Sequence, residues 1–213
     1  MRPTRRPSPK DAPEPTVFVV DDDEAMRRGL EFLLSSAGYD VESFDSARSF
    51  LNRCRPGMRG CLLLDVRMPG MSGLELQEHL EAERIGIPVI IVTAYANVPM
   101  AVRAMQGGAF DFIEKPFEGA VLLGRIRRAL AREAEAHLDQ DRRRKITRRL
   151  QTLTPREREV MDLVVDGLLN KQVAAELGIS MKTVENHRAR VMQKMKAESL
   201  AELVRMVITA GQD

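Results

Sequence analysis

The chain has 213 residues, enough for one or two domains with real cores, and it is rich in aliphatic side chains with no Trp. It has no run of about 18 apolar residues and no apolar segment near its start, so a membrane span and a signal peptide are not expected and a cytoplasmic location is. The net charge of +2 hides an asymmetry: residues 16–124 carry ten basic and sixteen acidic side chains, residues 125–151 ten and four, residues 152–213 nine and nine, which points to two domains with different partners.

Residues 1–15 are rich in Pro and Arg without an apolar period and read as a disordered tail. From Thr16 strands and helices alternate. Val17 to Val20 is a strand that runs into Asp21-Asp22-Asp23-Glu24. A helix follows with Met26, Leu30, Leu33, Leu34 and Ala37 on one face, stopped by Gly38. Val41 to Phe44 reads as the second strand, Ser46 to about Cys54 as the second helix, and Cys61 to Leu64 as the third strand, a run apolar on both faces. Gly73 releases a third helix through Leu74, Leu76 and Leu80. Pro88 to Val92 is the fourth strand, ending at Thr93. Val98 to Gln106 is the fourth helix, closed by Gly107-Gly108. Phe110 to Ile113 is the fifth strand, before Glu114-Lys115-Pro116, and a fifth helix starts near Phe117. Five βα units of this kind predict an α/β doubly wound parallel sheet of order 2-1-3-4-5 over residues 16–128.

The fifth helix keeps its period through Leu122, Ile126, Ala129 and Leu130, after which residues 131–150 become highly charged. Residues 129–150 therefore read as a helical linker. Arg142-Arg143-Arg144-Lys145 and Arg148-Arg149 fit a solvated linker face better than a DNA-facing patch. Residues 151–213 predict a small all-α domain. Thr154-Pro155-Arg156-Glu157 fits an N-cap, a Pro at the first helical position and acid in the first turn. That helix carries Val160, Met161, Val164 and Val165 to Gly167. Asn170 is expected to cap a short helix with Val173, Ala174 and Leu177. The turn Gly178-Ile179-Ser180 leads to a basic helix from Met181 to about Lys196, and a last helix runs from Glu198 to about Ala210. Short helix, Gly-containing turn and longer basic helix predict a helix-turn-helix. The two cysteines, Cys54 and Cys61, have no metal-ligand spacing and read as ordinary thiols; His79 and His137 read as surface residues.

The chemistry gathers at the carboxyl ends of the strands, where open α/β sheets place their sites. In the predicted order the first and third strands are neighbours about 4.8 Å apart, so Asp21, Asp22 and Asp65 converge. Because the apolar run ends at Val20, Asp21-Asp22 is the preferred pair over Asp22-Asp23. Carboxylates so close repel unless a cation lies among them, and hard oxygen ligands in a wet, shallow site suit Mg²⁺. Thr93 and Lys115 end the fourth and fifth strands on the same edge. A hydroxyl, an ammonium and a divalent ion around one carboxylate are what a transferred phosphoryl group needs.

These residues resemble the receiver domain of bacterial two-component response regulators, over roughly Thr16 to Arg128: the Asp21-Asp22 pair, Asp65 with Met68-Pro69 and Gly73, Thr93, and Lys115-Pro116. The resemblance implies that Asp65 accepts a phosphoryl group from a sensor histidine kinase. It implies direct Mg²⁺ ligation by Asp22 and Asp65, with Asp21 acting through water and the Arg67 carbonyl completing the set. It also implies a cis Lys115–Pro116 bond and an aromatic switch position, occupied here by Phe112. From about Leu153 the chain resembles the LuxR-type helix-turn-helix, through Leu153 to Glu157, Gly167, Asn170-Lys171, Val173-Ala174, Leu177, Ile179-Ser180, Thr183-Val184, His187 and Lys194. Both halves together look most like response regulators of the FixJ/NarL type.

On a helical wheel Val184, Val191 and Met195 share a face and should bury. The opposite face presents Lys182, Asn186, Ala189 and Gln193, flanked by Glu185 and Arg190. Contacts to double-stranded promoter DNA are expected from Lys182, Thr183, Glu185, Asn186, Ala189 and Arg190, with His187 and Lys194 reaching phosphates. The expected function is transcription regulation gated by phosphorylation, with a homodimer forming through Met100, Ala101 and Met105 and RNA polymerase as a further partner. No enzymatic activity is expected beyond self-phosphorylation and self-dephosphorylation. Two rivals remain. A phosphatase of the haloacid dehalogenase class also places an Asp after a strand with Mg²⁺, but it needs a second Asp where this chain has Arg67. An interaction scaffold with an inert receiver is the other.

Overall fold

Apolar runs form the three central strands, and the more polar segments Asp40–Phe44 and Asp111–Glu114 the two edges: β1 (Thr16–Val20), β2 (Asp40–Phe44), β3 (Gly60–Leu64), β4 (Val89–Thr93) and β5 (Asp111–Glu114). The computed structural model describes residues 15–55 and 57–211, so almost all of the expected disordered tail lies outside the described residues. All five strands pair in parallel in the order β2-β1-β3-β4-β5. No helix among the described residues is long and apolar enough to cross a membrane.

Successive strand residues point to opposite faces, and each face has its own helices. Phe18, Val20, Leu62, Leu64, Val89 and Ile91 pack with α2 (Ala47–Arg53), α3 (Gly73–Ala82) and α4 (Val98–Gln106) through Phe50, Leu76, Leu80 and Ala104. Val17, Val19, Cys61, Leu63, Ile90 and Val92 pack with Leu30 and Leu34 of α1 (Glu24–Ser36) and with Leu122 and Ile126 of α5 (Gly119–Leu150). The helix starts are fastened by side chains: Asp23, Ser46, Ser72 and Asn97 each accept backbone N–H bonds as N-caps. Ser72 and Glu75 complete a reciprocal capping box.

Residues 129–150, expected as a linker, are the uninterrupted continuation of α5. They divide between two compact units, one ending at Ala136 and the other beginning at His137. Ala129 is fully buried in the first unit, and Glu133 is buried there against Arg59, in a two-bond pair at 3.1 and 3.2 Å. In the second unit Ile146 and Leu150 are buried with Met161, Val191, Met195 and Leu203. The run of arginines and lysine hides these two apolar positions, because its charge dominates any composition window.

The second unit also contains α6 (Pro155–Val165), α7 (Asn170–Leu177), α8 (Met181–Met195) and α9 (Leu200–Ala210). Thr154 caps α6 in a reciprocal box with Glu157. The expected cap of α7 is displaced: Leu169 is the N-cap and Asn170 the first helical residue. Gln172 Oε1 accepts the Leu169 N–H instead, while Asn170 Oδ1 accepts from the Arg188 guanidinium. Between α7 and α8, Gly178 takes φ +63°, a left-handed cap that lets the chain turn within three residues.

Candidate functional site

Register places the acids. Val20 lies opposite Leu64, so β1 and β3 deliver Asp21 and Asp65 to the same level of the sheet edge. The ladder continues into them: Asp65 N–H donates to the Val20 carbonyl at 2.9 Å and Asp21 N–H to the Phe44 carbonyl at 3.2 Å. On the other side Thr93 pairs with Glu114, and Lys115 N–H donates to the Thr93 carbonyl at 2.9 Å. Gly73 keeps the turn after Asp65 tight, since a Cβ there would lie 2.0 Å from the Asp65 carbonyl oxygen. The Lys115–Pro116 bond is cis, as the resemblance implied.

Side chains converge accordingly. Lys115 Nζ donates to Asp21 Oδ2 at 2.6 Å and to Asp65 Oδ1 at 3.0 Å. Asp65 Oδ2 accepts the Arg67 N–H at 2.7 Å, and Asp21 Oδ1 accepts the Asp23 N–H at 2.9 Å. Asp21, Asp65 and Thr93 are buried, with Thr93 wholly covered. Burial pushes the Asp65 carboxyl above the usual carboxylate range, and the neighbouring Lys115 ammonium only partly opposes it. For Lys115 burial acts downward, but bonds to Asp21 and Asp65 outweigh it and hold the ammonium above its ordinary value.

Asp22 is exposed beside this pair, and Asp23 is occupied as the α1 cap, taking the Ala25 and Met26 N–H groups. Asp21 and Asp65 are therefore joined directly through Lys115, with Asp22 at the solvent side. Among the described residues no three His, Cys, Asp or Glu side chains gather as a preformed metal cage. The donor set nevertheless fits a hard divalent ion: three carboxylates against one ammonium leave excess negative charge, and Mg²⁺ needs only one or two carboxylates while keeping its waters.

One contact at the mouth was not legible in the sequence. The Arg67 guanidinium stacks 3.7 Å from the centre of the Tyr95 ring, and Tyr95 N–H donates to Thr93 Oγ1 at 3.3 Å. Arg67 follows β3 and Tyr95 follows β4, so the adjacency of those strands was the available signal. Phe112 is half-buried and packs against the core on the α2–α4 face.

The expected dimer residues separate. Met100 packs against its own unit's core and Ala101 is half-buried, leaving Met105 exposed. The outward stripe of α4 is Val98, Val102 and Met105, spaced as one helical face. The reason is phase: Ala104, fully buried, sets the inward direction and Met100 lies one turn from it.

In the second unit Val184, Val191 and Met195 are buried, as the wheel predicts. Lys182, Glu185, Asn186, Ala189, Arg190 and Gln193 are exposed along the opposite side of α8. Thr183 is half-buried and its hydroxyl bonds to Ser180 Oγ at 2.8 Å. His187 is half-buried too, with Nδ1 enclosed. Lys194 does not fit the phosphate contact expected of it. Its ammonium donates to Glu157 Oε2 at 2.6 Å and to the Thr152 carbonyl at 3.0 Å, because the buried Glu157 requires a counter-charge.

Comparisons with known proteins agree with both halves. The family model described as the response regulator receiver domain matches residues 17–127, and that of the bacterial regulatory proteins of the luxR family matches residues 151–207. The transcriptional regulatory protein FixJ of Azorhizobium caulinodans is 49% identical over 195 residues, covering 92% of each chain. Nodulation protein W of Bradyrhizobium diazoefficiens is 48% identical, over 92% of this chain and 86% of that one. Among solved structures, the response regulator StyR aligns with a TM-score of 0.84 at 50% identity, covering 91% of this chain and 98% of that one.

Proposed function

This chain belongs to the response regulators that join a receiver to a LuxR-type DNA-binding domain, a FixJ-like transcriptional regulator, and from that premise we propose that its Asp65 takes a phosphoryl group from a sensor histidine kinase. The observation that carries the proposal is the Lys115 ammonium held between the buried Asp21 and Asp65 carboxylates. An Asp65 oxygen attacks phosphorus as the bond from phosphorus to the donor nitrogen breaks, and the donor imidazole, already protonated on its other nitrogen, takes the bond's electron pair and leaves as the neutral ring. Lys115 then meets the charge spread over the transferred oxygens, with the Thr93 hydroxyl beside it. Asp22, Asp65 and the Arg67 carbonyl, with Asp21 beside them, would hold Mg²⁺, which would supply charge neutralisation at the same oxygens.

The phosphoryl group biases a two-state receiver rather than building a new one. Phe112, without a hydroxyl, responds by packing alone. The paired state forms through the outward stripe of α4, Val98, Val102 and Met105. Two α8 helices held together then cover two half-sites of promoter DNA about one helical turn apart. Lys182, Asn186, Ala189 and Arg190 face the bases and phosphates, and RNA polymerase is a downstream partner in the cytoplasm. The chain turns over no external substrate beyond acquiring and losing its own phosphoryl group.

The test is labelling with a small phosphodonor and Mg²⁺. Wild type gains one acid-labile phosphoryl group and sediments as a dimer, while Asp65→Asn gains none and stays a monomer. Equal labelling of the two proteins refutes the assignment.

A further inference from the structure

We propose that Arg67 senses the phosphoryl group: its guanidinium rests on the Tyr95 ring while Asp65 is free, and leaves that ring for the phosphoryl oxygens once Asp65 carries them. This rests on the Asp65 reading above and deepens it by naming what the new charge moves. The placement follows from the strand ends. Arg67 stands two residues past Asp65, and its N–H donates to Asp65 Oδ2 at 2.7 Å. Tyr95 stands two residues past Thr93, and its N–H donates to Thr93 Oγ1 at 3.3 Å. Both backbones are thus tied to the groups that meet a transferred phosphoryl. The two side chains touch at 3.7 Å, so the stack bridges the ends of the adjacent strands β3 and β4.

The buried carboxylates of the resting pocket have no acceptor to spare for this guanidinium. Asp65 Oδ1 accepts from Lys115 and Oδ2 from the Arg67 N–H. Asp21 Oδ2 accepts from Lys115 and Oδ1 from the Asp23 N–H. Every oxygen of the two buried carboxylates therefore already has a donor. Among the described residues the Arg67 guanidinium makes no ion pair or hydrogen bond, only its contact with the ring. Phosphorylation changes the supply of acceptors. It turns one Asp65 oxygen into an ester and brings three phosphoryl oxygens with up to about two negative charges. They arrive beside a residue whose own N–H is already bonded to Asp65.

Magnitudes decide the direction. A cation over an aromatic ring at an exposed site is favoured about 2–5-fold, and Tyr95 is 54% exposed. A hydrogen bond to a charged group is favoured about ten- to hundredfold, and a guanidinium meets phosphate with two parallel bonds. The phosphoryl oxygens win. The consequence falls on the segment between β4 and α4. Once released, Tyr95 loses its tie to the end of β3. Asn97, the cap of α4, and Val98, the first residue of its outward stripe, follow two and three residues later. Phe112 has no hydroxyl, so no side-chain hydrogen bond at that position carries the signal instead.

The chain has two tyrosines, Tyr39 and Tyr95, so the full chain made with 3-fluorotyrosine gives two fluorine signals, and Tyr39→Phe identifies that of Tyr95. Nitrogen-15 spectra of the same protein follow the Arg67 Nε–H, identified as the side-chain signal that Arg67→Gln removes. The donor is phosphoramidate with Mg²⁺, and mass spectrometry reads the labelled fraction of each sample. In the resting protein the ring holds the Arg67 Nε–H signal upfield. Labelling moves it downfield, with the phosphoryl contact in about tenfold excess over the stack, and the Tyr95 fluorine signal shifts in proportion to the labelled fraction. Two variants are read without donor or Mg²⁺. Arg67→Gln should already place the Tyr95 signal near its position in the labelled wild type. Tyr95→Leu should release the Arg67 Nε–H to the position of an exposed arginine. Protein labelled at Asp65 whose Arg67 Nε–H stays upfield overturns the proposal while the phosphoacceptor reading stands. A wild type that takes up no phosphoryl group overturns both.

Discussion

Replacing Lys194 with Met keeps the aliphatic stem and deletes the charge that answers Glu157. The carboxylate then retains the Thr154 N–H, 2.9 Å from Oε2, but loses its only ammonium. In wild type the Lys194 bond, followed by the Thr154 N–H, holds the Glu157 carboxyl down at about 2. Solvent reaches only 3% of the Glu157 side chain and 34% of Lys194. The carboxylate is covered by its own hydrogen-bond partners rather than by a deep layer of protein, so water can replace the ammonium in part. The loss should therefore lie below the 3–5 kcal/mol of a fully buried pair and above that of a surface pair, about 2 kcal/mol. For a domain of this size that lowers Tm by about 8–16 °C. Hydrogen exchange of the α6 and α8 amides in the full chain measures it. The pH dependence has a definite sign: a depressed carboxylate contributes stability that is fully present above pH 4.5 and lost as pH falls towards 2, so the wild-type advantage over Lys194→Met should fade through that window. Unchanged exchange, together with DNA binding weakened uniformly and a shallower salt slope, would refute this and return Lys194 to the phosphates.

Four further outcomes follow from the sites. Mg²⁺ at ten times its dissociation constant should stabilise the wild-type receiver by about 1.4 kcal/mol, measured as a Tm shift, and Asp65→Asn should show little of it; an equal shift would move the ion elsewhere. Because burial raises the Asp65 pKa, its ionised form costs the apo receiver stability at neutral pH, so Asp65→Asn without Mg²⁺ should melt no lower than wild type. Asn186→Ala should reduce discrimination among duplexes by roughly 1–3 kcal/mol, read as the ratio of selected to unrelated binding, and an unchanged ratio places base recognition on other residues. Val102→Glu should abolish phosphorylation-dependent dimerisation in sedimentation without changing labelling, whereas Met100→Glu should first destabilise the fold, since Met100 packs against the core.

The strand order and the acid pocket were legible in the sequence because both follow from short-range rules. Val17 to Val20 and Cys61 to Leu64 end abruptly in carboxylates, and Thr93 and Lys115 stand just past β4 and β5; a parallel sheet necessarily brings such positions to one edge. The buried face of α8 was legible for the same reason, since helical period alone puts Val184, Val191 and Met195 together. Periodicity reports which way a side chain faces, not what it meets. Lys194 and Glu157 are 37 residues apart, and only the packing of α6 on α8 turns an apparent phosphate ligand into the counter-ion of a buried carboxylate. Arg67 meets Tyr95 only because β3 and β4 are adjacent. Ile146 and Leu150 are two apolar residues within a strongly basic run, and no local pattern outweighs that charge. Burial against Met161, Val191 and Leu203 assigns them to the second core, which makes the end of α5 part of the DNA-binding unit.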